Sequence, residues 1–294
     1  MSDFVQQQSV VCSFDSSDSW VILSPIEQSI KRKIESVGTP LKDWDIQINY
    51  GIKTGFNDAF IITTEKRNEI LEKCSSEEER TKTAELIRPI LRGREIKRYG
   101  YDWANLWLIN THNGIKGIKP RIDINDYPAV NAHLDHYWDK ISKRADKGDT
   151  PYNLRNCAYL DDFFKPKVMW KIIGCNINFS FDNGTMICNN AVDIMTGQRN
   201  QLLQFLGLMN SKLFDWYLKL TTEAEVQGGG IQLYVTTLEK TLVKLDFPLY
   251  LSEIINQRVN GIASDKEVDN TIFESYKLTQ EEIDYILTCK QVDR

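Results

Sequence analysis

The sequence predicts an α+β fold, a mixed β-sheet with flanking helices and a small helical region at the C-terminus. Two observations lead there. Short segments of alternating apolar and polar residues are interleaved with capped amphipathic helices, and the interleaving has no β-α-β rhythm. No internal repeat is present.

The elements follow in order. Residues 1–23 are rich in Ser, Asp and Gln and read as a flexible linker. Ser24-Pro25-Ile26-Glu27 is a capping box that opens a helix with the stripe Ile26, Ile30, Ile34 and Val37, stopped by Gly38 and Pro40. Trp44, Ile46, Ile48 and Tyr50 alternate with polar residues, which predicts a half-buried strand. A Gly-bounded turn over 51–60 leads into the strand-like Phe60–Ile62. Ser76 and Glu79 cap a helix to about Arg88, ended by Pro89. Leu106–Ile109 is a short aromatic strand, 121–145 a helix, and 148–166 loop. Val168–Ile173, Ile177–Phe181 and Ala191–Ile194 are predicted strands, with turns at Gly174 and Asn183-Gly184. Leu202–Leu220 is a strongly apolar helix, Thr221–Gly230 a polar glycine-rich loop, and Ile231–Val235 a further strand. Two more capping boxes, Ser264/Glu267 and Thr279/Glu282, open C-terminal helices. This partitions the chain into a linker (1–23), a main domain (24–250) and a helical region (251–294).

With 41% hydrophobic and 26% charged residues, wholesale disorder and collagen-like chains are excluded. No stretch reaches the roughly 18 apolar residues of a membrane span, and the N-terminus has no basic-then-apolar leader. The six cysteines (Cys12, Cys74, Cys157, Cys175, Cys188, Cys289) show no short pairing, which predicts free thiols in a reducing, cytoplasmic setting. The net charge of −5 is unevenly spread. Residues 80–101 hold seven bases against Glu85 and Glu95, and Lys116, Lys119 and Arg121 follow. Such a patch on a mildly acidic chain suits a local polyanion contact; a solvated, ion-paired helix face is the plain alternative.

Enzyme signatures are mostly excluded. None of the eight prolines adjoins another, so an Asn/Asp-Pro-Pro-aromatic methyltransferase loop is absent. Gly228-Gly229-Gly230 holds the only Gly-x-Gly and leads into a strand-like segment, unlike a nucleotide fingerprint. Gly51–Gly55 lacks phosphate-loop spacing, and no Gly-x-Ser-x-Gly elbow occurs. Glu95-Ile96-Lys97 matches half of a metal-nuclease signature, but no preceding strand offers a second carboxylate for Mg²⁺. His133 and His136 are too few for a metal site, and Cys175 and Cys188 read as core thiols. No catalytic residue and no metal ligand is assigned.

Five blocks together resemble the TaqI-like specificity domain of type IIG restriction–modification enzymes. They are residues 40–46 (PLKDWDI), 51–61 (GIKTGFNDAFI), 90–99 (ILRGREIKRY), 165–170 (KPKVMW), and a tail from Glu267 through Tyr276 to Ile283. The match spans roughly 24–290 and is loose over 100–165, where such domains differ to read different targets. The resemblance implies a DNA-binding module that positions a methyltransferase, in the same polypeptide or a partner subunit, on double-stranded DNA. In that family an upstream domain binds S-adenosylmethionine and methylates the exocyclic amine of adenine, and a nuclease domain using Mg²⁺ often precedes it. Neither is expected in these residues, which read as an excised or stand-alone specificity half without a cofactor of its own.

Duplex affinity comes from phosphate contacts and specificity from base edges. Arg92, Arg94, Lys97 and Arg98 can clamp phosphates or pair with guanine, with Ile96 and Tyr99 as anchors. Lys53, Thr54 and Asn57 lie on a small polar turn where Asn can pair with adenine; their alternative is turn geometry alone. Lys171 follows the core residue Trp170, and Gln227–Gln232 is a loop suited to a groove. A stand-alone metal-dependent nuclease built on Glu95 and Lys97, a type I-like specificity subunit, and a DNA-free protein-interaction module remain the other readings.

Overall fold

Ser24 opens the first helix as its capping box requires. Its hydroxyl accepts from the Glu27 amide at 3.4 Å, and its own amide donates to Glu27 Oε2 at 2.7 Å. The computed structural model describes residues 23–288 except 175, 177, 222–224, 227–229 and 245. The expected linker up to residue 22, Cys12, Cys175, Cys289 and the loop residues 227–229 lie outside the described residues. Internal contacts divide the chain into two units: residues up to Trp44 with those from Gly207 onward, and Asp45–Leu206. Composition and caps suggest partition points at 23 and 250. No helix among the described residues is long and apolar enough to cross a membrane.

In the first unit, helix Pro25–Val37 buries Ile30 and Ile34. The strand Gly38–Pro40 pairs antiparallel with Leu242–Lys244. The predicted helix Leu202–Leu220 is two helices: Arg199–Met209, which runs from the second unit into the first at Gly207, and Lys212–Thr221. Ser211 causes the break: its hydroxyl donates to the Leu208 carbonyl (2.6 Å) and accepts from the Phe214 amide (3.2 Å), capping the second helix. The predicted strand 231–235 is shorter, Gly230–Gln232, because Val235 already starts the helix Val235–Lys240. Helix Leu249–Val259 carried no sequence prediction; it buries Leu251, Ser252 and Ile255. Helices Asp265–Ser275 and Gln280–Thr288 carry the predicted caps at Ser264 and Thr279.

The second unit carries two four-stranded sheets. Its main strands are β1 (Ile46–Tyr50), β2 (Ile61–Thr63), β3 (Ile87–Leu91), β4 (Leu106–Ile109), β5 (Lys167–Lys171), β6 (Phe179–Asp182), β7 (Ile187–Cys188) and β8 (Val192–Gly197). The first sheet, in the order β1-β8-β5-β6, is antiparallel throughout. The second has the order β2-β4-β3-β7, with β3 and β7 parallel. Phe60, Leu108, Ile109, Phe163, Met169 and Ile194 are fully buried in the shared core, and Cys188 is a core thiol as expected.

Three expectations are corrected here. The helix from Ser76 ends at Leu86, and Ile87–Leu91, including Pro89, is a strand. The proline is tolerated because β7 joins only at Ile90 and Leu91, so no partner on that side needs its missing amide. The helix over 121–145 is broken into Pro128–Asp135 and Trp138–Ile141, since Tyr137 (φ −105°, ψ 12°) leaves helical geometry. Tyr50, expected on a buried stripe, is 53% exposed at the end of β1. Helix Thr64–Glu72 carried no sequence prediction; it buries only Ile70 and Leu71, too few for a visible stripe.

Buried charge stiffens the first sheet. Lys167, fully buried, donates to Asp182 Oδ2 at 2.5 Å and to the Phe163 carbonyl at 2.7 Å. Asp182 also accepts from the amides of Gly184, Thr185 and Met186 and from the hydroxyls of Thr185 and Tyr101. Burial alone would raise its carboxyl; Lys167 and these donors hold it below the ordinary aspartate value.

Candidate nucleic-acid interface

Parallel pairing brings three distant segments to one edge of the second unit. Leu91 at the end of β3 pairs with Cys188 at the end of β7. Ile52 forms a parallel bridge to Asn189, the residue that follows. The links are Asn189 amide to Leu91 carbonyl (2.9 Å), Ile52 amide to Cys188 carbonyl (2.7 Å) and Asn190 amide to Ile52 carbonyl (3.1 Å). The three chains leave this edge together, carrying Arg92, Asn190 and Lys53. With neighbouring strands about 4.8 Å apart, the Arg92 and Lys53 backbones are separated by about 10 Å. Gly51 makes the approach possible, since a Cβ there would lie 1.9 Å from the Asn189 carbonyl oxygen. The turn Asn189–Val192 is held by the Asn189 side chain, which accepts from the Ala191 amide at 3.2 Å.

Lys171 joins the same edge. The Ile172 amide donates to the Ala191 carbonyl at 3.2 Å, and Gly93 packs against the side of Lys171 and Ala191. Arg92 and Arg94 flank it but are not equally available. Glu95 is buried, and its carboxylate accepts from Arg92 Nε (3.0 Å) and Nη2 (2.6 Å), from the Arg92 amide (2.6 Å) and from Arg94 Nε (3.2 Å). Burial opposes ionisation of Glu95, yet the two guanidinium groups hold its carboxyl below the usual range. Arg92 is thus largely consumed, whereas the Arg94 side chain is 72% exposed. Residues 96–101 form a tight hairpin with Lys97 and Arg98 at its turn; the Lys97 amide donates to the Gly100 carbonyl at 2.9 Å. Ile96 and Tyr99 are buried and anchor it. Lys97 lies 3.7 Å from exposed Asp102, and the Arg98 guanidinium sits 5.7 Å from the Tyr99 ring.

The turn at 53–57 is built differently from the expectation. Lys53 and Asn57 are exposed, but Thr54 is buried, and its hydroxyl donates to Asn57 Oδ1 at 2.6 Å. Its side chain is therefore spent on the turn. Arg144, itself buried, holds the turn from behind. Its guanidinium donates to the carbonyls of Thr54, Asp146 (2.7 Å), Pro151 (3.1 Å) and Asn153, and lies 4.4 Å over the Phe60 ring. Burial lowers its pKa to about 10. Arg144→Met should destabilise the domain by about 2–4 kcal/mol, because several buried carbonyls lose their donor. Urea unfolding checks this, and a loss under about 1 kcal/mol would show those carbonyls to be solvated.

Sequence inspection did not single out Asn190, although an Asn-Asn pair after an apolar run is a turn signal. The alternative nuclease pair is poorly placed for metal work. Glu95 is committed to two arginines that a Mg²⁺ ion would have to displace, and Lys97 turns back to the Arg94 carbonyl at 3.4 Å. His133 bonds the Ala59 carbonyl at 3.0 Å and packs on Tyr137. No three His, Cys, Asp or Glu side chains converge among the described residues.

The family model of the TaqI-like C-terminal specificity domain matches residues 88–241. The chain belongs to this family. The match covers the edge at Arg92, Lys171 and Asn190. Two solved structures share the fold of this chain. One is the type IIL restriction–modification enzyme MmeI in complex with DNA, with a TM-score of 0.58 and 14% identity, covering 83% of this chain and 35% of that one. The other is the type IIG restriction endonuclease BpuSI, with a TM-score of 0.57 and 14% identity, covering 89% of this chain and 31% of that one. The chain thus spans about a third of the length of each, and at that identity the likeness is one of fold. No curated protein matches the chain.

Proposed function

We infer that this chain is the DNA target-recognition part of a type IIG-like restriction–modification enzyme. The observation that carries the reading is the shared edge where exposed Lys53 and Arg94 and half-buried Lys171 lie beside the exposed Asn190, with Lys97 and Arg98 on the adjoining hairpin. Cations at that spacing suit the phosphate rails of a duplex, and an amide between them suits a base edge. Arg92 is assigned the smaller share, holding Glu95 and thereby shaping the loop. Asn57 can offer its amide to a base, while Thr54 acts through the turn. The methyltransferase that the domain would orient lies in the same polypeptide or a partner subunit. S-adenosylmethionine, and Mg²⁺ for any nuclease, belong there. The proposed setting is the cytoplasm, where such enzymes meet DNA.

The test is binding to a 30-base-pair duplex pool across a salt series. Replacing Lys53, Arg94 and Lys171 together with Ala should weaken binding on the order of 10²-fold and reduce the salt slope by about 2–3, since each lost phosphate contact removes about 0.9 from it. Arg94→Ala alone should lower affinity about 3–10-fold across all sequences. A triple variant that binds with unchanged slope would place the interface elsewhere.

A further inference from the structure

One basic feature of the second unit is not part of the edge described above. Residues 112–122 form a narrow hairpin ribbon with a single antiparallel bridge, closed by Ile122 amide to His112 carbonyl (3.0 Å) and by reciprocal bonds between Ile115 and Lys119 (2.8 and 2.9 Å). Gly117 turns the tip at φ 77°, and Gly114 at φ 74° has no room for a Cβ, which would lie 2.4 Å from the Lys119 carbonyl oxygen. The buried Asn153 fixes the base, its side-chain amide donating to the Ile122 carbonyl at 2.9 Å. A cleft of about 780 Å³ separates the ribbon from Asp149 and Asn156–Ala158. The ribbon is therefore held rigidly at its root and stands off the body at its tip.

Its chemistry is one-sided. From Asn113 to Ile122 it carries Lys116, Lys119 and Arg121 and no acid. Lys119 and Arg121 meet only exposed carboxylates, Asp161 at 3.4 Å and Asp149 at 3.7 Å, and Lys116 has no ion pair among the described residues. Such pairs are weak and readily exchanged for phosphate. Between the cations, Ile118 is 78% exposed at the tip. A water-facing isoleucine flanked by lysines gains nothing in the free domain; it gains when an anionic ligand held by those lysines also buries it.

We propose that this ribbon enters the major groove of the target duplex, with Lys116, Lys119 and Arg121 on the phosphates and Ile118 against the 5-methyl group of a thymine. The groove is wide enough for a narrow hairpin, and the thymine methyl is the apolar mark it displays. The inference rests on the DNA-recognition reading and extends it to a specificity-determining residue.

The experiment selects duplexes from a pool with a randomised 12-base-pair core, using the full chain and Ile118→Ser, whose exposed position leaves folding intact. The parent should enrich a motif with a required thymine, and Ile118→Ser should lose preference at that column alone. Replacing that thymine with uracil, which removes only the methyl, should weaken the parent about 5-fold and leave Ile118→Ser unchanged. Lys116→Ala should weaken all sequences equally and lower the salt slope by about 1. Identical motifs from parent and variant, or parent binding without any enrichment, overturn the ribbon proposal while leaving DNA binding intact. No duplex binding by the parent overturns the DNA-recognition reading itself, and the ribbon with it.

Discussion

Asp182→Asn should unfold the central domain more readily by about 4–5 kcal/mol, the upper part of the range for breaking one member of a buried ion pair. Two physical changes add up. Lys167 is left as a buried cation whose remaining partner is the Phe163 carbonyl. The new amide then turns an N–H2 group toward a pocket that already supplies three backbone amides and two hydroxyls. Lys167→Met should cost less, about 3 kcal/mol, because the carboxylate keeps those five donors while losing its counter-charge. Urea midpoints at constant m-value give both numbers. If Lys167→Met proves the worse of the two, the donors around Asp182 do not carry its charge in the way described.

Asp193→Asn should do the opposite and stabilise the fold above neutral pH. Asp193 is buried on β8 between Tyr50 and Trp170 of the neighbouring strands, and neither carboxyl oxygen has a hydrogen-bond partner among the described residues. Burial pushes its pKa up from 3.8 to about 7. A folded-state value above the unfolded one means that the native domain keeps a proton the unfolded chain gives up. Stability therefore falls as pH rises between the two values, and stays reduced above about 7. At roughly 1.4 kcal/mol per pKa unit the full swing is on the order of 4 kcal/mol. The Asn variant carries no such proton, so its gain should be near zero at pH 4 and largest at pH 8. Asp182 works in the other direction: its lowered value adds stability above the unfolded pKa, lost as pH falls through the folded one. Thermal unfolding of the parent and Asp193→Asn across pH 4–8 is the measurement. Parallel curves for the two proteins would mean that Asp193 finds a partner or water.

Capping chemistry was legible because it is local. Ser24, Ser264 and Thr279 each satisfy amides within three residues, so no distant partner is needed to predict the helix starts. Period-two alternation marked β1, and a short aromatic run marked β4. Where local preference and tertiary context disagreed, context prevailed. Pro89 would end a helix on its own, yet pairing with β4 draws Ile87–Leu91 into a sheet. Ser211 looks unremarkable inside an apolar run, and only its bonds to Leu208 and Phe214 reveal the helix break.

The amino-acid sequence by itself determined the α+β class, the family resemblance and which residue types are available for a polyanion, since composition, caps and motif blocks are properties of neighbouring residues. Folding decided which cations act together. Lys53, Arg92 and Lys171 are far apart along the chain and become neighbours only through β-ladder hydrogen bonds to the turn after Cys188. Folding also decided which candidates are already spent, because Thr54 is buried in its own turn and Arg92 on Glu95. Charge is written in the sequence; its accessibility depends on partners that only long-range pairing supplies.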